Sequence, residues 1–171
     1  MNTVGNFYKV SFEQFRKDYL SLFISKEEEI LQAYNAVKLP TRATSGSAGY
    51  DFVSPIDFTL NLGESITIPT GIRVRIGTKD AWFLGMFPKS GLGFKYRAQL
   101  DNTVGIIDSD YYYSDNQGHI MIKITNDSKA SSQLKVNSGK SFVQGIFIPF
   151  GITYDDNAYG VRNGGFGSTD S

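Results

Sequence analysis

With 171 residues the chain is long enough for one domain with a real core and too short for two full ones. Seventeen basic residues balance seventeen acidic ones, which excludes a general nucleic-acid binder, because that needs surplus Lys and Arg to displace counterions from many phosphates. Cysteine is absent, which excludes disulfides, thiolate chemistry and a Cys-based zinc site.

Residues 1–38 read as a helical N-terminal extension. The polar start MNTVGN is unlike a signal peptide, and no apolar run approaches the roughly 20 residues that span a bilayer. The expectation is a soluble, cytoplasmic protein with no membrane or nucleic-acid partner. Ser11 with Gln14 fits a capping box, and Phe12, Phe15 and Tyr19 follow at helical spacing. Ser25 with Glu28 repeats the pattern ahead of Ile30, Leu31, Tyr34 and Val37. Two short amphipathic helices ending before Leu39-Pro40 account for both stretches, with their aromatic stripes as docking surface.

From residue 39 to 154 the period changes to two. Ile56, Phe58, Leu60 and Leu62 alternate, as do Ile66 and Ile68, then Ile72, Val74 and Ile76. Ile120, Ile122 and Ile124 follow, then Leu134 and Val136, then Gln144, Ile146 and Ile148. Gly, Asn, Asp and Pro punctuate these runs, so many short strands predict a β-sandwich or barrel. Trp82 sits in an alternating stretch and is expected in the core or at an interface. His119 follows Gly118 in a hairpin and is expected to face solvent. Residues 155–171 lose the apolar pattern and read as a flexible, Gly-rich arm.

Five segments look unlike ordinary strand or turn. Ala48-Gly49-Tyr50-Asp51 alone is a structural turn. Lys89-Ser90-Gly91 exposes backbone N–H groups, a hydroxyl and a charge to an anion, or is a solvated turn. In residues 102–111 Asp108 ends an apolar stretch, where desolvation raises a carboxylate's pKa and suits it to take a proton from water. Asp108 and Asp110 point to one side in a strand and need not do so in a turn, so the pair is not read as a carboxylate dyad. Gly139-Lys140-Ser141 mimics the end of a P-loop, but the earlier glycine falls at Leu134 and the context is strand to strand. In the last segment Arg162 offers a donor fork for phosphate, Phe166 a face for a base, and Gly164, Gly165 and Gly167 close backbone approach.

Taken together and in order, the five segments resemble the motifs of the homotrimeric dUTPase family. The resemblance implies a mainly β, jelly-roll-like β-barrel (the β-clip fold) and a homotrimer with active sites at subunit interfaces. It implies a dUTP diphosphatase: Mg²⁺-assisted attack of water on the α-phosphorus of dUTP yields dUMP and pyrophosphate, which limits uracil in DNA and supplies dUMP for dTMP synthesis. Asp108 matches the general base. Asn102, Gly105, Ile106 and Ile107 match the deoxyuridine pocket, and Met121 the hairpin that reads uracil. Tyr111 matches the tyrosine under the deoxyribose, where a 2′-hydroxyl does not fit. Lys89, Ser90, Gly91 and Gln144 match phosphate contacts, and Asp51 an acid that organises Mg²⁺ through water. Arg162, Phe166, Gly167, Ser168 and Thr169 match the closing arm.

Three departures stand out. Lys89 replaces the common Arg and loses the bidentate fork. Six residues separate Tyr111 from Gly118 where many members have one, and Phe166 is four steps from Arg162 instead of five. The competing expectations are a dCTP deaminase of the same fold and a nucleotide-gated binding protein. For a regulatory protein partner, the long hairpin tip and the N-terminal helices are candidate surfaces.

Overall fold

The computed structural model describes residues 3–77, 81–130, 132–160 and 162. The period-two runs become strands because alternate apolar side chains share one buried face. In β6 (Ile72–Ile76) Ile72, Val74 and Ile76 are buried while the arginines between them are not. The same pattern builds β5 (Ser65–Pro69), β10 (Met121–Asn126) and β11 (Leu134–Val136). One predicted run shrinks: β4 spans only Phe58–Leu60, and Leu62 lies half exposed in the turn beyond it. Shorter strands β2 (Thr41–Arg42), β3 (Tyr50–Val53), β8 (Ala98–Leu100) and β9 (Gly105–Ile107) join the long β7 (Trp82–Pro88) and β12 (Ser141–Pro149).

All pairings among the described strands are antiparallel and divide into four sheets: β1-β6, β5-β10-β8, β11-β4 and β2-β3-β12-β7-β9, with β1 spanning Gly5–Lys9. The result is mainly β and jelly-roll-like. In the five-stranded sheet, cross-strand partners point the same way. Leu84, Met86, Ile107 and Val143 face the core and are buried. The opposite face carries Phe83, Phe87, Ile106, Ile146 and Ile148, none of them buried.

Both predicted N-terminal helices are present: α1 (Phe12–Leu22) and α2 (Glu27–Ala36). Phe15, Tyr19, Ile30 and Val37 are buried in the same core cluster as the strands, so these segments pack onto the β domain. At α1 the Gln14 N–H donates to Ser11 Oγ as expected, but the Gln14 side chain turns to Asp18. At α2 the box shifts by one residue, because the Glu29 carboxylate accepts from the Lys26 N–H. Strand β1 was not predicted. Four of its five residues are exposed, so it carries no alternating apolar signal. Its pairing comes from the neighbouring edge of β6.

Candidate active site

A cavity of about 460 Å³ opens between β5, β7, β8, β9 and β10. Asn102, Gly105, Ile107 and Met121 line it, joined by Thr67, Met86, Leu100 and Lys123. Four residues expected around a deoxyuridine therefore meet in one wall, three from residues 102–107 and Met121 from β10. Ile106 does not join them: it stands on the other face of β9 and is 52% exposed. The reason is strand alternation, which sends Gly105 and Ile107 one way and Ile106 the other. Thr103, in the turn that presents Asn102, adopts a φ of 64°, an uncommon conformation for a β-branched residue.

Asp108 lies one residue past the cavity wall, at the start of a 3₁₀ turn spanning Ser109–Tyr113. Partial burial pushes its carboxyl above the ordinary value of 3.8, opposed by the attraction of Arg162 and reinforced by the repulsion of Asp110. Arg162 binds both acids with one fork: Nη2 lies 2.5 Å from Asp108 Oδ2 and Nε 3.0 Å from Asp110 Oδ1. The two carboxylates thus point to one side although the segment is not a strand. The Arg162 guanidinium also sits 5.9 Å from the centre of the Tyr111 ring.

Tyr111 is buried, and burial pushes its phenol above the ordinary value of 10.0. Its hydroxyl donates to the His119 carbonyl at 2.8 Å and accepts from Asn116 Nδ2 at 2.8 Å. His119 corrects the expectation of a solvent-facing side chain, being 0% exposed. The Gly71 N–H donates to its Nε2 at 2.8 Å, so Nδ1 carries the hydrogen and donates to Asp18 Oδ2 at 2.6 Å. The cause is long-range: Asp18 stands 101 positions away in sequence, beyond the reach of any local pattern.

A second cluster forms where β7, β12 and β3 end together. Asp51 is the cross-strand partner of Gln144, which in turn pairs with Phe87. Lys89 Nζ lies 2.5 Å from Asp51 Oδ1, and Gln144 Nε2 donates to the Pro88 carbonyl. Gly49 permits this packing, since a Cβ there falls 2.4 Å from Gln144 Oε1. Ser90 and Gly91 do not end in a bare turn. They open a short helix, α3 (Ser90–Tyr96), capped by Lys89, and its first N–H groups have no partner within the helix. Gly139-Lys140-Ser141 runs from β11 into β12, as its strand-to-strand context implies. Trp82 is half-buried against a surface cavity with Arg42, Tyr50 and Phe147. Phe166, Gly167, Ser168 and Thr169 lie outside the described residues.

Comparison with known proteins decides between the remaining possibilities. The dUTPase family model matches residues 35–170. The deoxyuridine 5'-triphosphate nucleotidohydrolase of Shigella sonnei (strain Ss046) is 38% identical over 136 residues, spanning 75% of this chain and 85% of that protein. The chain belongs to the dUTPase family. It hydrolyses dUTP to dUMP and pyrophosphate, and the deaminase and non-catalytic alternatives fall away. The Escherichia coli O9:H4 (strain HS) enzyme matches with the same identity and coverage. The crystal structure of dUTPase from Streptococcus mutans superimposes with a TM-score of 0.62 at 28% identity, over 86% of this chain and 98% of that one. A Staphylococcus bacteriophage 80alpha dUTPase solved with dUPNHPP shares the fold at 21% identity, with a TM-score of 0.58 over 78% of this chain and 92% of that one. No helix among the described residues is long and apolar enough to cross a membrane.

Proposed function

We propose that the enzyme hydrolyses dUTP at sites assembled from different chains of a homotrimer. The register of β7 against β9 carries this reading. Ile107 pairs with Leu84, which places Asp108 beside the start of β7, whereas Lys89 follows its end. The two ends are about six residues apart, or ~20 Å of strand. In one chain the water-activating acid and the phosphate cluster therefore lie at opposite ends of β7. One nucleotide meets both when the phosphate cluster comes from a neighbour. The outward face with Phe83, Phe87, Ile106, Ile146 and Ile148 supports close packing of chains, since apolar surface of that extent favours association.

In such a site the cavity takes the uracil and sugar, with Asn102, Gly105, Ile107 and Met121 as its wall and Tyr111 under the deoxyribose. Thymine carries one more methyl, which a close-fitting pocket rejects on shape. Lys89, the N–H groups of Ser90 and Gly91, and Gln144 hold phosphate oxygens. Asp108 accepts a proton from the water that attacks the α-phosphorus, and its raised pKa keeps it basic enough for that task. The bond to the pyrophosphate oxygen breaks as the new P–O bond forms. Arg162 must leave Asp108 for this to happen, and an incoming triphosphate competes for its fork. Phe166, Gly167, Ser168 and Thr169 complete the closing arm, with Phe166 stacked on the base.

A Mg²⁺ ion fits the donor chemistry. Asp51 offers a hard carboxylate oxygen of the kind Mg²⁺ takes, now paired with the Lys89 ammonium. Asp51 is the residue that would hold such an ion, through water, and the ion would supply neutralisation of phosphate charge.

Subunit exchange between two inactive variants, Asp108→Asn and Lys89→Glu, tests the shared site. Mixed trimers are expected to regain part of the activity, because some sites then draw both intact residues from different chains. A monomeric mass in solution, or no recovery in verified mixed trimers, defeats the proposal.

A further inference from the structure

We infer that Asp18, on the N-terminal helix, is a positioning residue for the sugar side of the site, acting through His119 on Tyr111. This rests on Tyr111 being the wall beneath the deoxyribose.

The path is continuous and almost entirely out of water. Asp18 Oδ2 accepts two hydrogen bonds, from His119 Nδ1 at 2.6 Å and from Gln14 Nε2 at 2.9 Å. The imidazole, 0% exposed, is held from its other side by the Gly71 N–H. A ring fixed at both nitrogens fixes its own backbone. The His119 carbonyl is the acceptor for the Tyr111 hydroxyl, and two residues further on Met121 lines the cavity. His119 thus stands between the sugar wall and the base wall of one pocket.

The inserted tip closes the same arrangement from above. Gln117 Oε1 accepts from the Ser11 N–H at 3.0 Å and its Nε2 donates to Ser11 Oγ at 3.1 Å. Asn116, one residue earlier, donates to the Tyr111 hydroxyl. The extension and the insertion, read from sequence as surfaces for some other protein, hold each other across 106 positions of sequence. Their shared product is the position of one tyrosine. A pocket that rejects a ribose 2′-hydroxyl by shape depends on where that ring stands, and a group that fixes the ring governs the rejection.

The test compares kcat/KM for dUTP with that for UTP. Asp18→Ala is expected to lower the dUTP/UTP preference about tenfold, through a higher KM for dUTP, while kcat at saturation stays within about twofold. Asp18→Asn keeps a carbonyl acceptor for His119 Nδ1 and is expected to keep the wild-type preference. A folded Asp18→Ala enzyme with unchanged preference overturns the inference, and so does equal loss in both variants. Should Asp18→Ala not fold, Asn116→Ala probes the hydroxyl from its other partner, and an unchanged preference there overturns it too. Tyr111→Leu separates the premise: if it leaves the preference intact, Tyr111 is not the sugar wall. If it relaxes the preference while Asp18→Ala does not, only the inference fails.

Discussion

Arg162 Nη2 lies 2.5 Å from Asp108 Oδ2, so the arm's first cation rests on the acid proposed to take a proton from water. That contact and the neighbouring Asp110 act on Asp108 in opposite senses, and both are measurable. As the proposed base, Asp108 works only when ionised, so kcat/KM is expected to fall as pH drops through its raised pKa. Arg162→Ala removes an attraction that lowers this pKa, and the acid limb of kcat/KM moves to higher pH. Asp110→Asn removes a repulsion that raises it, and the limb moves to lower pH. The limb's position is read independently of its height, so weaker dUTP binding in Arg162→Ala does not obscure the result. Limbs that stay in place in both variants refute the electrostatic assignment.

Asp108→Asn is expected to cut turnover by about 10²–10⁴, the range for loss of a general base. A non-hydrolysable dUTP analogue should bind within a few-fold of wild type by calorimetry. Stability moves the other way from activity. A carboxyl whose folded pKa is raised contributes stability below its ordinary value of 3.8 and loses it as pH rises through the folded pKa. The amide variant is therefore at least as stable as wild type at neutral pH, and its advantage disappears in acid. A lower melting temperature at neutral pH contradicts this account.

Gly118→Ala tests the turn that presents His119. Gly118 has a φ of 69°, and a Cβ there falls 2.7 Å from the Tyr111 carbonyl oxygen and from the Tyr112 Cα. Both obstacles are backbone and cannot rotate away. The strained conformation alone costs about 1–3 kcal/mol, and roughly 2–4 °C of melting temperature per kcal/mol follows for a chain of this size. An unchanged melting temperature would show that the turn is not tightly held.

Ile146→Asp places a charge on the outward face of the five-stranded sheet, opposite Gly85 and beside Ile148. On the proposed shared site, light scattering then reports dissociation and activity falls with it. A variant that remains trimeric and active removes that face from the interface.

The strands and the site's chemistry were legible for different reasons. Ile72, Val74 and Ile76 announce β6 because burial on one face writes a local period, and Asp108 stands out as a candidate because an acid closing an apolar run is a local event. His119 and Asp18 were not. Each is an ordinary residue in its own neighbourhood, and the pair acquires meaning only when the fold closes a gap of 101 residues. Ile106 stands off the cavity of its own chain for a simpler reason: the motif names its position but not the phase of the strand that carries it. Strand β1 escaped notice because edge pairing through backbone groups leaves no mark on side-chain polarity.

The two hydrogen bonds between Ser11 and Gln117 have a consequence for how this chain can be altered by recombination. The N-terminal helix and the lengthened loop between β9 and β10, predicted as a hairpin but joining strands of different sheets, form one part encoded in two distant stretches. Grafting that loop alone into a relative with a short one delivers Gln117 and His119 without their N-terminal partners and leaves a buried imidazole N–H unanswered. Deleting the helix from this chain does the same in reverse. A working chimera must therefore exchange both segments together, and a lineage that discards one is under pressure to discard the other.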